Sequence, residues 1–336
     1  MYADLVYLWM LSNHRKMLSV CIPVYNRDIT HLVKILHNQL ENLDVAGEIL
    51  VLDDGSALAY KQLNRAIESL RLVKYAELPS NVGRSRIRNT LADRAASKWL
   101  LFLDCDIEVI RQDFLLAYIR QTRDHSVICG GHIYSKTPPA PQYMLHWKAG
   151  SQREVRTLSF RTKKPYHTFM TGNFMIRRDV FKNTRFHEDL AGYGYEDTLF
   201  AYELCQAGIK VYHIDNPILH NGLETSSQFL RKTRESLRNL LHIYNMLGRD
   251  QAFADMSRAL GMYCRIRSWK LSGFLNLLLR LCQGVLQKNL RGRHPSLFCL
   301  DLYKLGCLYV TEGGPSIKAH RFQANGPCPG EPAQRS

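Results

Sequence analysis

The sequence contains no run of about 18 uninterrupted apolar residues, so a membrane-spanning helix is not expected. Its nine cysteines form no CxxC pair and no framework spacing. That pattern reads as free thiols in a reducing compartment, with Cys21 and Cys105 acting as small hydrophobes inside apolar runs. The opening MYADLVYLWMLSNHRKM has a short apolar stretch but no basic segment before it, which makes a poor signal peptide. Met17, directly ahead of an apolar strand, is the expected natural start, leaving 1–16 as an extension. There is no internal repeat. The first strand is followed by neither GxGxxG nor a Walker loop, which argues against dinucleotide dehydrogenases and P-loop enzymes. Acidic residues are missing altogether between Met256 and Leu300.

That last gap explains where the charge lies. The 336 residues carry 45 Lys+Arg against 30 Asp+Glu, a formal +15. From Asn221 onward the count is 17 against 7, or +10, leaving +5 for the first 220 residues. Hydrophobic content of 46% and charged content of 22% are ordinary for a globular chain, and the length suffices for one large domain or two. The basic excess therefore belongs to the C-terminal part and needs its own explanation.

The first 130 residues alternate strand-like and helix-like segments. Apolar strands are expected at 18–24, 48–52, 72–78, 98–103 and 127–129, with helices between them. Leu32, Ile35, Leu36, Leu40 and Leu43 give one of these helices its spacing. Such alternation predicts an α/β fold with a mostly parallel sheet covered by helices on both faces.

Each of the first four strands hands over to polar residues at its C-terminal end: Tyr25-Asn26 after Pro23 and Val24, then Asp53-Asp54, Ser80-Asn81 and Asp104-Cys105-Asp106. In open α/β sheets ligands bind outside these ends, so four clusters on one edge mark a site. Asp53 can accept an N–H from a base, which favours uracil over cytosine. Asp104 and Asp106, at i and i+2, are expected to project to one side of the strand end. Two hard oxygen ligands beside an open site suit Mg²⁺ or Mn²⁺ shared with substrate phosphates.

Taken together, IPVYNR, LVLDDGS, NVGRSRIRN, LFLDCD and GYGYEDTLFAYEL resemble glycosyltransferase family 2, the inverting enzymes with a GT-A fold. The resemblance runs from Leu18 to about Asn221. It implies a nucleotide-diphospho-sugar donor, usually UDP-linked, a divalent metal on the DxD motif, and a place in pathways such as polysaccharide biosynthesis. Carried onto this chain, it puts the base on Asp53 with Asp54 beside it, and Pro23, Tyr25 and Asn26 in the donor pocket. Gly83, Arg88 and Asn89 match the donor-side segment. Asp106 becomes the principal metal ligand, with Asp104 near ribose and metal. Asp197 becomes the general base and Glu196 a binder of acceptor hydroxyls. Tyr193 and Tyr195 stand where relatives often carry Trp, and His220 resembles a histidine that completes metal coordination in some GT-A enzymes. Gly172 and Asn173 are expected on the acceptor side.

Each motif also has a plainer reading. Asp53-Asp54-Gly55-Ser56 can be a turn and helix cap, and Asp104 to Asp106 a solvated strand end. Glu196-Asp197 can be an ordinary helix N-terminus, Arg84, Arg86 and Arg88 a solvated helix face, and His213 a core histidine. Residues 132–170, broken by TPPAP and rich in Lys and Arg, read as a loop-rich insertion suited to an anionic, lipid-linked acceptor. The expected division is an extension at 1–16 and a catalytic domain at 17–224, split at 131 into nucleotide-sugar and acceptor halves. A basic helical region at 225–311 and a disordered tail at 312–336 follow.

The basic, apolar segment 272–286 is suited to an anionic membrane surface or to packing on the catalytic domain. A cytoplasmic, peripherally attached enzyme that adds one sugar to a glycan or lipid-linked acceptor is the expectation. A processive synthase is disfavoured by the absence of QxxRW and of spanning helices. The alternatives are a nucleotidyltransferase and an inactive homologue that binds sugar or nucleic acid; nucleic acid is not expected, because the basic residues form no recognisable binding motif.

Overall fold

The computed structural model describes residues 17–190, 193–269 and 272–312. The expectations for the extension 1–16, for the first glycine of GYGYED and for the tail from 313 lie outside the described residues. The chain divides into two compact units. One holds the residues up to Gly130 together with Thr171–Phe186 and Ile214–Leu219, and the other holds Gly131–Met170, His187–His213 and everything from His220 on.

The first unit runs β1 (Leu18–Val24), α1 (Thr30–Glu41), β2 (Gly47–Asp53), α2 (Leu58–Asn64), β3 (Val73–Glu77), α3 (Arg84–Arg94), β4 (Trp99–Leu103), β5 (Ile107–Glu108), α4 (Phe114–Ile119) and β6 (Val127–Cys129). The chain then supplies β7 (His132–Ile133), α5 (Met144–Ala149) and α6 (Leu158–Lys163) to the second unit, and returns with β8 (Asn173–Arg177) and α7 (Arg178–Asn183). Six strands of the main sheet belong to the first unit, in the order β3-β2-β1-β4-β8-β6. The first four are parallel, and β8 runs antiparallel to both β4 and β6. This is a mixed α/β sheet whose strand order turns back between β1 and β4.

Burial explains the apolar runs. All seven residues of β2 are buried, as a strand covered on both faces requires. Helix α1 turns Leu32, Val33, Leu36 and Leu40 onto the sheet. Glu48, buried within β2, is held by three donors: Ser19 Oγ at 2.8 Å, the Ala96 N–H at 2.9 Å and Lys74 Nζ at 2.9 Å. Register fixes the edge that matters, since Val24 of β1 pairs with Asp53 of β2 and Cys21 with Phe102 of β4.

Asn173, at the start of β8, ties this unit together. Its Oδ1 accepts from Tyr118 Oη at 2.7 Å and its Nδ2 donates to the Asn216 carbonyl at 3.0 Å. Asn216 in turn donates to the Phe114 carbonyl at 2.9 Å.

The second unit contains α8 (Glu196–Gln206), β9 (Val211–His213), the last residue of β10 (Ile218–His220), α9 (Ser226–Met246), α10 (Gln251–Met256), α11 (Arg258–Arg267), α12 (Ser272–Leu290) and α13 (Leu297–Glu312). Its core is one cluster in which Leu145 of α5 and Leu199 and Tyr202 of α8 meet Leu237, Leu240, Phe253, Leu300 and Leu308 of the C-terminal helices. The stretch 132–170 is not loop-rich as expected: it holds α5, α6 and an intervening helical turn. Its basic residues are partly structural. Arg161 is buried, Arg153 pairs with Asp301 at 2.9 Å, and Lys148 Nζ donates to the Pro295 carbonyl at 2.9 Å. Among the described residues no helix is long and apolar enough to cross a membrane, and seven cysteines are free thiols.

Replacing Asn173 with Ala removes the amide that serves Tyr118 Oη and the Asn216 carbonyl in the dry interior, leaving Tyr118 Oη its longer bond to the main-chain carbonyl of that residue at 3.2 Å. The expected cost is roughly 1–3 kcal/mol, read as a lower urea midpoint at unchanged slope.

Candidate active site

The residues expected on the donor side gather at the carboxyl ends of β1, β2 and β4. Asp53 closes β2 with no exposed surface; its Oδ1 accepts the Ser56 N–H at 2.7 Å, while its buried Oδ2 meets no hydrogen-bond donor of the protein. Asp54 reaches the next segment, accepting the Val82 N–H at 2.7 Å and the Gly83 N–H at 3.2 Å. Burial, with Asp53 beside it, raises Asp54 above the usual carboxylate range against the lowering effect of those two N–H groups. Gly55 is required between them and Ser56: its φ is +74°, and a Cβ there would lie 2.6 Å from the Ser80 carbonyl carbon. Ser56 Oγ accepts the Asn26 N–H at 2.8 Å, and Asn26 Oδ1 accepts the Ala57 N–H at 2.8 Å. Asn26 adopts a left-handed φ of 49°, which its short polar side chain tolerates. Tyr25, beside it, is exposed, and Pro23 sits within β1.

Helix α3 begins at Gly83 and delivers Arg88 into the interior. This guanidinium, 2% exposed, donates to Asp104 Oδ1 at 2.7 Å and lies 5.7 Å from the Phe186 ring centroid. Arg88 is thus no part of a solvated face, whereas Arg84 and Arg86 are exposed. Asn89 holds the backbone of Phe186 through both ends of its amide, at 2.9 and 3.1 Å.

The two carboxylates of LFLDCD do not ride on the strand. β4 ends at Leu103, so Asp104, Cys105 and Asp106 form the turn that leads into β5. Strand alternation therefore does not set their directions. The Asp104 N–H donates to the Gly172 carbonyl at 3.2 Å, and a Cβ on Gly172 would lie 2.8 Å from Asp104 Oδ2. Both carboxylates are partly exposed. Burial, with Asp106 adding to it, pushes the Cys105 thiol up to about 12, so this cysteine is inert at neutral pH. Two carboxylates on an accessible turn fit a Mg²⁺ or Mn²⁺ that takes its remaining oxygens from a bound diphosphate. Among the described residues no group of three or more His, Cys, Asp or Glu is arranged to hold a metal unaided.

In the second unit, Glu196 and Asp197 open α8, as expected. The entry is tight: Gly194 has φ +95°, and Tyr195 takes a left-handed φ of 66°. Left-handed backbone costs a non-glycine residue about 1–2 kcal/mol, offset here by anchoring. Tyr195 packs on the core and its phenol, bonded to Ser257, is pushed up to about 12 by burial. Glu196 is buried, and Asp197 Oδ1 accepts the N–H of Thr198 at 2.7 Å. Tyr193 lies under Lys232 Nζ at 4.8 Å from its ring centroid.

His220 belongs to a ring cluster that the sequence did not announce. Its ring lies 5.1 Å from Tyr134 and 5.7 Å from His146, and His146 stacks on Phe229 at 4.8 Å. Tyr134 Oη donates to Glu154 at 3.0 Å, and His132 stands 3.8 Å from the same carboxylate. Short motifs such as GGHIY and MLHWK carry these residues, with only isolated histidines as a signal. His213 is a core histidine: its Nδ1 faces Arg161 at 3.2 Å and its Nε2 the Pro165 carbonyl at 2.9 Å.

Burial lowers both His132 and His213 from 6.5 to about 4. Between those values the unfolded chain binds more protons than the folded one, so stability falls as pH drops through that window. The loss is on the order of 3 kcal/mol per histidine. His132→Gln should flatten the slope of unfolding free energy against pH between pH 6.5 and 4. An unchanged slope would contradict this account.

Residues 19–185 match the profile described as Glycosyl transferase family 2. An uncharacterized glycosyltransferase of Haemophilus influenzae is 26% identical over 190 residues, covering 52% of this chain and 69% of its own. Two solved structures share the fold. One is the mannosyltransferase PcManGT from Pyrobaculum calidifontis in complex with GDP-Man and Mn²⁺, at 14% identity and TM-score 0.55, covering 93% of this chain and 96% of that one. The other is S. aureus TarS 1–349 in complex with UDP-GlcNAc, at 18% identity and TM-score 0.50, covering 88% and 92%. Over residues 19–185, just under half of its length, this chain is thus similar to glycosyl transferase family 2.

Proposed function

We propose that the protein is a non-processive, inverting glycosyltransferase that moves one sugar from a nucleotide-diphospho-sugar to a hydroxyl of a glycan or lipid-linked acceptor. The observation that carries this reading is Asp53. A buried carboxylate oxygen with no protein donor is costly, and it stands where strand ends in such sheets meet a nucleotide. The imide N–H of a uracil base is the group it can accept, so a UDP-linked donor is favoured. Both fold relatives were solved with nucleotide sugars, one GDP-linked and one UDP-linked, which supports a nucleotide-sugar donor without favouring either base.

The roles follow from the chemistry of each group. Asp53 takes the base, with Asp54, Asn26, Tyr25, Pro23 and Gly83 shaping the wall around it. Asn89 keeps Phe186 and α3 in place, and so acts as a positioning residue. Arg88 balances the charge of Asp104 and aims that carboxylate. Asp104 and Asp106 would hold a divalent cation, which when bound offsets the charge of the departing diphosphate. Asp197 takes the proton of the attacking acceptor hydroxyl, and Glu196 orients the acceptor. Tyr193 and Tyr195 are the acceptor candidates beside Glu196, whereas Asn173 is buried with its amide spent on Tyr118 and Asn216.

The test is a thermal-shift panel of UDP- and GDP-linked sugars with and without Mn²⁺. A UDP-sugar should stabilise the protein only with Mn²⁺ present, and Asp106→Ala should abolish the shift. Gly172→Ala, which drives a methyl to 2.8 Å from Asp104 Oδ2, should reduce the shift strongly and also lower the ligand-free melting temperature, because Asp104 is the counter-ion of buried Arg88. Asp197→Asn should keep the donor shift and lose about 10²- to 10⁴-fold in transfer rate, as expected for loss of a general base. No stabilisation by any nucleotide sugar would overturn the proposal.

A further inference from the structure

Helix α12 carries two apolar faces. One, with Leu279, Leu286 and Leu290 buried, packs into the second unit's core against α13. The other is Phe274, Leu277, Leu278, Leu281 and Val285, all exposed, with Leu281 at 74%. Successive residues turn by about 100°, so these five form a single stripe about 100° wide and roughly 16 Å long. Isolated exposed leucines are unremarkable, but a continuous stripe of large apolar side chains marks an interaction surface.

The charge around the stripe identifies the partner. Between Met256 and Leu300 there are eight Lys and Arg residues and no Asp or Glu. Arg280 and Lys288 are exposed on α12 itself, Arg265 and Arg267 precede it, and Arg291 and Arg293 follow it. A second copy of this chain would bring the same cations against one another, which disfavours a symmetric contact. An anionic bilayer satisfies both features: its acyl boundary takes the apolar stripe and its headgroups take the flanking cations. No described helix is apolar and long enough to span, so the helix would lie in the interface plane.

We propose that the exposed face of α12 docks the protein on anionic phospholipid membranes. This does not rest on the glycosyl-transfer reading. The experiment is co-sedimentation of the full chain with phosphatidylcholine vesicles, with and without about one-third phosphatidylglycerol. The protein should bind the mixed vesicles at least about tenfold more tightly than the neutral ones, and raising NaCl to about 0.5 M should weaken that binding. Phe274→Ser/Leu281→Ser/Val285→Ser should abolish binding with an unchanged circular dichroism spectrum. Lys288→Glu/Arg291→Glu/Arg293→Glu, which leaves the stripe intact, should reduce it about tenfold or more.

The donor thermal shift should survive in both variants, which separates failure of docking from failure of the catalytic reading. Binding unaffected by either variant, or absent from anionic vesicles, would overturn the proposal. So would lipid-independent self-association that Leu281→Glu converts to monomer, because it would assign the stripe to a second copy.

Discussion

The ion pair between Arg88 and Asp104 is the constraint on which the carboxylate turn after β4 depends. A guanidinium this deeply buried is tolerated only when its charge is met. The 2.7 Å bond to Asp104 meets that charge and at the same time fixes the first carboxylate of the turn after β4. Helix α3 is in turn held by Asn89 on the Phe186 backbone, and the Asp104 N–H rests on Gly172. A residue expected to touch substrate is therefore also the counter-ion of a core arginine. The geometry of the carboxylate turn is inherited from packing some distance away from it.

A second layer of order comes from Asp53 and Asp54. One carboxylate caps its own loop through Ser56, and the other reaches across to the N–H groups of Val82 and Gly83. Short bonds thus join the segments following β1 and β2 to the one that leads into α3. Asp53 Oδ2, buried among them, is left without a protein donor. These bonds fix the loops in place, and because Asp53 has no exposed surface a ligand reaches Oδ2 only if they part locally.

Much of this was legible in the sequence, for physical reasons. Strands covered on both faces must be continuously apolar, so β1, β2 and β4 could be read within a residue or two of their observed ends. The polar residues that interrupt those runs stand at the functional edge for the same reason. The turn at Asp104 to Asp106 was harder, since i, i+2 spacing implies a shared face only while the strand persists. The stretch 132–170 looked loop-rich because α5 and α6 have six residues each, too short to establish a helical period. Asparagine identity is equally silent about its partner. Asn89 and Asn173 could face a ligand or a backbone, and both turn out to be bonded to the protein.

The core of the second unit is built from residues far apart in sequence: Leu199 and Tyr202 of α8, beside Asp197, share it with Leu240, Phe253, Leu300 and Leu308. The helices after residue 225 are therefore the other half of the wall that supports α8, and no mere appendage to it. The family match ends at 185, before α8 begins. Neither unit is one contiguous stretch of chain, since the first takes in Thr171–Phe186 and Ile214–Leu219 as well as the residues up to Gly130. Grafting α8 alone would strand an apolar face without its complement. Sequence change in α8 should therefore be coupled to change in helices some hundred residues downstream, as roughly expected of residues that share one core.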